Sequence, residues 1–215
     1  MLRSATGHLR STALAVAFGA LAGCGGTSAD VPVGPPALSA AEANARTTVP
    51  LTRTVALDKP GVIADLEFDL PPPGEFATTA LEIGIRISAN EAKSKAQLSD
   101  LIVSEGLPAR VVLQRFGEGG PVDVALSRTA KDLRNRIPLE SDGLVPGVMR
   151  ADLDPSMLAE QGLEVDGWLS DVLSFARLEK AVPGRYKLSV ELAEPRQQLA
   201  GKSAELIVAY KGRAK

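Results

Sequence analysis

One cysteine, Cys24, and one histidine, His8, are all the thiol and imidazole chemistry that these 215 residues offer, and both lie near the N-terminus. After Cys24 there is no histidine and no second thiol. Ser-His-Asp and Cys-His nucleophile systems, histidine-containing zinc sites, thiol redox chemistry and disulfides are therefore excluded downstream, because each needs an imidazole or a thiolate. Carboxylate pairs, Ser-Lys dyads and oxygen-ligand metal sites remain. Neither G-x-S-x-G nor S-x-x-K occurs after Cys24. Close carboxylates do occur, as Glu67 with Asp69, Asp152 with Asp154, and Glu164 with Asp166. Residues two apart share one face of a strand, so each pair could converge on a bond to be hydrolysed. A solvated strand face has the same spacing and is the commoner cause of it. The fragments "ESDG" (Glu140 to Gly143) and "VDG" (Val165 to Gly167) do not continue into the calcium loop D-x-[DN]-x-[DN]-G. No metal, cofactor or catalytic residue is expected, and a non-catalytic protein is the leading expectation.

The surroundings of Cys24 give it a role. Met1 to Thr12 carries Arg3 and Arg10 and no acid, and "ALAVAFGALAG" then runs small and apolar from Ala13 to Gly23. A basic segment followed by an apolar stretch of this length has the form of an export signal, and the stretch is too short to span a bilayer. It ends in "LAGC", Leu21 to Cys24, which resembles the lipobox of bacterial lipoproteins. The resemblance covers the first 24 residues. It implies that residues 1–23 are a signal peptide, that the Cys24 sulfur carries a diacylglycerol, and that the new amino terminus is acylated as well. Two or three chains, at about 0.8 kcal/mol per buried methylene, hold a protein durably in a membrane, where one would not. Gly25, rather than Asp, after the cysteine implies sorting to the periplasmic face of the outer membrane, with the inner membrane as the alternative.

Without residues 1–23 the chain has 22 basic and 26 acidic residues. This balance gives no reason to expect a nucleic acid partner. Aromatic residues are scarce, with Trp168, Tyr186 and Tyr210 beside Phe68, Phe76, Phe116 and Phe175. A stacking platform for sugars can hardly be built from them, so carbohydrate is not expected.

From Gly25 to Arg46 the composition is Gly, Ala, Ser and Pro with few larger apolar residues, so residues 24–46 read as a lipidated flexible tether. Within it, "SAAE" (Ser39 to Glu42) has the pattern that caps a short helix. From Thr47 the pattern changes to a period of two. "GVIADLEFDL" puts Val62, Ala64, Leu66, Phe68 and Leu70 on one face, and "LEIGIRI" does the same with Leu81, Ile83, Ile85 and Ile87. Similar runs occur at 50–57, 109–116, 122–127, 172–178, 186–192 and 204–210. Alternation of this kind marks half-buried antiparallel strands, and Pro-Gly turns at Pro60, Pro73 and Pro183 separate several of them. The expected fold over 47–215 is mainly β, an antiparallel β-sandwich, immunoglobulin-like or similar, with one or two short inserted helices.

The first helix is expected in "SANEAKSKAQLSDLIVSEG", with a Ser88…Glu91 capping box, Leu98, Leu101 and Ile102 on one face, and a stop at Gly106. The second is expected in "DPSMLAEQG", with Asp154 as N-cap, Pro155 in the first turn and Gly162 as terminator. The order of "LDKPG", an alternating strand, "EIGIRI", a helix, "AVPGRYKLSVEL" and "LAGKSAELIV" resembles a family of small proteobacterial lipoproteins with one β-sandwich domain of unknown function. That resemblance covers roughly Pro50 to Ala209 and implies no functional residues.

Two surfaces stand out. "RTAKDLRNR" carries Arg128, Lys131, Arg134 and Arg136 against Asp132, which suits anionic lipid headgroups or plain solvent. From Asp152 to Asp171 there are six acids and no base. The two stretches could also pair with each other. Glu164, Asp166, Trp168 and Asp171 form the candidate interface, an aromatic anchor ringed by charge that would suit a protein partner. The alternatives are an immunity-type lipoprotein that neutralises a toxin delivered to the periplasm, and a hydrolase built on paired carboxylates.

Overall fold

In this computed structural model, which describes residues 35–164 and 168–213, the alternating runs pair into two antiparallel sheets. Seven strands are β1 (Leu51–Val55), β2 (Gly61–Leu70), β3 (Ala77–Ala89), β4 (Ala109–Gly117), β10 (Leu169–Leu178), β11 (Gly184–Leu192) and β12 (Ala204–Gly212). Five are short: β5 (Gly120–Asp123), β6 (Ser127–Thr129), β7 (Arg136–Pro138), β8 (Leu144–Val145) and β9 (Met149–Ala151). One sheet runs β1-β12-β3-β10-β6-β7, with β9 also on β10. The other runs β2-β11-β4-β5, with β8 also on β4.

The sheets share one core. Phe68, Leu113, Leu188 and Val190 come from the second sheet, and Ile83, Ile85, Leu173 and Leu206 from the first. The Phe68 and Tyr186 rings stack with centroids 5.7 Å apart. This is the expected β-sandwich, with the alternating apolar residues of each strand turned inward. On β2 two positions depart from the simple alternation. Val62 is exposed, because the pairing of β2 with β11 slips between Ala64 and Val62 and sends Ile63 toward the core instead. Leu66 is only partly buried.

Both inserted helices are present. In α2 (Ala92–Glu105) Ile102 enters the main core, with Leu98 and Leu101 packed against it, and Gly106 ends the helix at φ 72°. The Ser88…Glu91 capping box does not form. Ser88 is still in β3, paired with Ser170, and the N-cap is Glu91, whose side chain makes no cap bond. Pairing with β10 outweighs the local cap, since each further residue in the sheet gains ladder bonds and cross-strand contacts. In α3 (Pro155–Glu160) the Asp154 side chain accepts from the Ser156 N–H, as the sequence indicates.

A third layer covers part of the first sheet's outer face. Ser39 and Glu42 form a complete capping box that starts α1 (Ala40–Ala45), and Ala43 packs with Leu158 and Leu163 on Ile207 and Ala209 of β12. Folded structure thus begins before Thr47, and residues 40–45 of the expected tether form a helix docked through Ala43. Alanines 40, 41, 43 and 45 supply too little apolar surface to advertise this in sequence; the burial comes from a small residue lying close against a strand. Asn44 completes the layer, accepting from the Thr54 N–H at 2.8 Å on the edge strand β1.

Candidate binding groove

On β3 the residues opposite the core isoleucines are Glu82, Gly84, Arg86 and Ser88, and they face outward, away from the second sheet. Glu82 and Arg177 of β10 are register partners and form a buried ion pair, to which the Ser174 hydroxyl adds a bond to Glu82 at 2.7 Å. Arg86 and Glu205 of β12 are likewise register partners, joined Nε to Oε2 at 2.8 Å. Arg86 Nη1 also donates to the Leu163 carbonyl at 2.7 Å, which ties the loop after α3 to the sheet. That loop starts at Gly162, in the left-handed region at φ 65°, where a Cβ would stand 2.6 Å from the Pro36 carbonyl oxygen. No other residue type fits there without moving the N-terminal arm, whose Leu38 N–H donates to the Gly162 carbonyl at 2.8 Å.

Beside this junction lies a groove of about 600 Å³. It is lined by Arg86, Glu205, Thr54, Ser88, Ser170 and Ser203, with Ala204 at the edge strand pair and Leu163, Glu164 and Trp168 from the loop after α3. Trp168 is 52% exposed, so the chain's only tryptophan is not a core residue. Since Arg86 is neutralised by Glu205, the carboxylate of Glu164 leaves the described lining with a surplus negative charge. Hydroxyls, one aromatic face and one uncompensated acid can hold a polar or basic ligand by hydrogen bonds and stacking.

The residues singled out as an interface do not all meet here. Glu164 and Trp168 do, whereas Asp166 lies outside the described residues. Asp171 belongs elsewhere. It ion-pairs with Lys95 of α2 at 2.6 Å and with Arg150 of β9 at 2.8 Å, and Arg150 reaches on to Asp100 at 2.7 Å. Burial pushes the Asp171 carboxyl up, but the Lys95 ammonium and the Arg150 guanidinium outweigh this and hold it below the ordinary carboxylate range. Ser170 and Asp171 are adjacent in a strand and therefore point to opposite faces. Asp171 is a strut for α2, not part of the rim.

The carboxylate pairs are also placed. Glu67 and Asp69 lie on the solvent face of β2, with Glu67 bonded to Arg185 at 2.8 Å. Asp152 is exposed, while Asp154 is buried and occupied with capping α3. Sequence reasoning overlooked Arg86, Glu205 and the groove serines. The signal for Arg86 was present in "EIGIRI", since the same alternation that buries Ile85 and Ile87 turns Arg86 to the other face. Its partner Glu205 is 119 residues away, and only the sheet order makes them neighbours.

A scan against models of protein families and a search of curated proteins gave no match. Among solved structures, one from Sulfurospirillum deleyianum is similar at 11% identity and a TM-score of 0.40, covering 76% of this chain and 98% of that one.

Proposed function

We propose that this chain is a lipid-anchored, non-catalytic lipoprotein, held through acylated Cys24 at the periplasmic face of the outer membrane, whose β-sandwich binds another protein through the groove beside Trp168. The observation that carries the binding site is the exposed indole of Trp168 on the wall of the groove. Rigid aromatic side chains set beside a recess are the residues that dominate protein interfaces, because they bury large area at small entropic cost. The surplus carboxylate of Glu164 favours a partner segment with a basic side chain.

Two experiments test the two halves separately. Metabolic labelling with a palmitate analogue should mark the wild-type protein and not Cys24→Ser; equal labelling of both would end the lipoprotein reading. For the groove, a photocrosslinking amino acid placed at Ser170 or Ser203 in intact cells should trap a discrete protein adduct that Trp168→Ala abolishes. The same group at Asp65, on the outer face of the other sheet, should not. Identical adducts from both faces, or adducts indifferent to Trp168→Ala, would remove the groove as the site.

A further inference from the structure

The hairpin formed by β6 and β7 is unlike the rest of the surface. Its turn is built by Asp132, whose Oδ1 accepts from the N–H groups of Arg134 and Asn135 at 3.0 and 3.1 Å, and whose Oδ2 accepts from Asn135 Nδ2 at 2.6 Å. The only acid of the hairpin is thus drawn into the turn. The cations are not. Arg136 pairs with Glu179, but among the described residues no carboxylate lies within ion-pair distance of Arg128, Lys131 or Arg134. Between Lys131 and Arg134 stands Leu133, which is 63% exposed and has φ 62°. It is the only non-glycine residue described in the left-handed region. Glycine or asparagine is the ordinary occupant of such a position, and a γ-branched apolar side chain is an outlier there. The turn therefore holds a leucine out into solvent, in an unfavourable backbone conformation, between two unpaired cations.

We propose that this tip docks on the surface of a bilayer containing anionic phospholipid, with Lys131 and Arg134 meeting the headgroups and Leu133 entering the boundary with the acyl chains. Charge complementarity selects the surface, and the exposed apolar tip selects a bilayer over a soluble anion. The reach fits. The hairpin is at the opposite edge of its sheet from β1, about 24 Å away at roughly 4.8 Å per strand. The fourteen residues that follow Cys24, Gly25 to Leu38, can extend to about 45 Å. This inference draws on the proposed lipid anchor only for bringing the tip to the membrane; the affinity of the tip itself is measured without it.

The test uses residues 25–215, which contain both core clusters and no cysteine. Cosedimentation with phosphatidylglycerol-containing vesicles at low salt should exceed that with pure phosphatidylcholine vesicles at least tenfold. Each cation removed should lower the partition about fivefold, and Lys131→Glu with Arg134→Glu should abolish it. Leu133→Asn is the informative single change. It relieves the backbone and removes the apolar tip, so the melting temperature should hold or rise while binding falls at least fivefold. A polarity-sensitive dye on Leu133→Cys should shift to the blue with anionic vesicles, and one on Leu144→Cys should not. Equal binding to both vesicle types, or binding that survives Leu133→Asn and the double reversal, would overturn the proposal. Failure of palmitate labelling at Cys24 would leave these measurements unaffected, so the two readings fail separately.

Discussion

Gly84 of β3 is pressed against Leu173 of β10: a Cβ at position 84 would run into the Leu173 carbonyl and stand 2.9 Å from the Cα of Ser174. The closeness arises where β10 bulges between Ser174 and Ala176, so that one extra residue is accommodated opposite β3. Because both neighbours are backbone in the middle of the sheet, neither can step aside. Gly84→Ala is expected to destabilise the fold by about 2–4 kcal/mol through overpacking. Urea denaturation followed by circular dichroism measures this, and a loss below ~0.5 kcal/mol would show that the strands can separate freely.

Phe68 is fully buried and stacked on Tyr186. Phe68→Ala should cost about 3–5 kcal/mol, the range for deleting an enclosed aromatic ring. Phe76→Ala serves as the control, since Phe76 is 56% exposed and its loss should change stability by less than ~0.5 kcal/mol.

Asp171 makes the attachment of α2 sensitive to acid. Its carboxyl is held below its ordinary value in the folded chain. The stabilisation it gives is therefore complete above the unfolded value of about 3.9 and is lost as the pH falls through the lower folded value. Asp171→Asn should remove that part of the acid dependence and lower stability at neutral pH. Thermal melts of both proteins from pH 7 to 2 read the difference, and parallel curves would count against the strut.

Tyr210 gives the alkaline counterpart. Burial, with a smaller contribution from Tyr186, raises its phenol to about 12, and its hydroxyl donates to the Pro71 carbonyl at 2.7 Å. The folded form holds the proton more tightly than the unfolded one, so stability should fall as pH rises from about 10 toward 12. Absorbance at the phenolate band should show late, cooperative ionisation in the wild type. Tyr210→Phe, which cannot ionise, should lose this dependence while also losing the bond to Pro71.

Much of the sandwich was legible because its signal is local. Ile83, Ile85, Leu188 and Val190 alternate with residues that are not large and apolar, and a strand with one face in an apolar core can hardly read otherwise. Four of the short strands, β6 to β9, were not, since two or three residues cannot display a period. The capping box at Ser88 misled for a different reason: a local pattern competed with a partner strand more than 80 residues away, and the partner won. For the groove, the exposed Trp168 could be named but its exposure could not be derived, because a lone tryptophan is more often a core residue and nothing in "VDGWLSD" marks this one as the exception. Asp171 could have been separated from Ser170 by strand parity alone, whereas the pairing of Arg86 with Glu205 depends on a sheet order that no local pattern encodes.

The contact between Asn44 and Thr54 bears on where the chain can be cut. β1 is an edge strand, and its outward N–H and C=O groups form a template on which another chain could add. α1 lies along that edge, and the Asn44 side chain occupies both the N–H and the hydroxyl of Thr54. A fragment starting at Thr47, where the strand pattern begins in sequence, would leave the template bare and should self-associate at high concentration, while one starting at Pro35 should stay monomeric. The short helix acts as a stopper against edge-to-edge aggregation, and light scattering of the two fragments would reveal it.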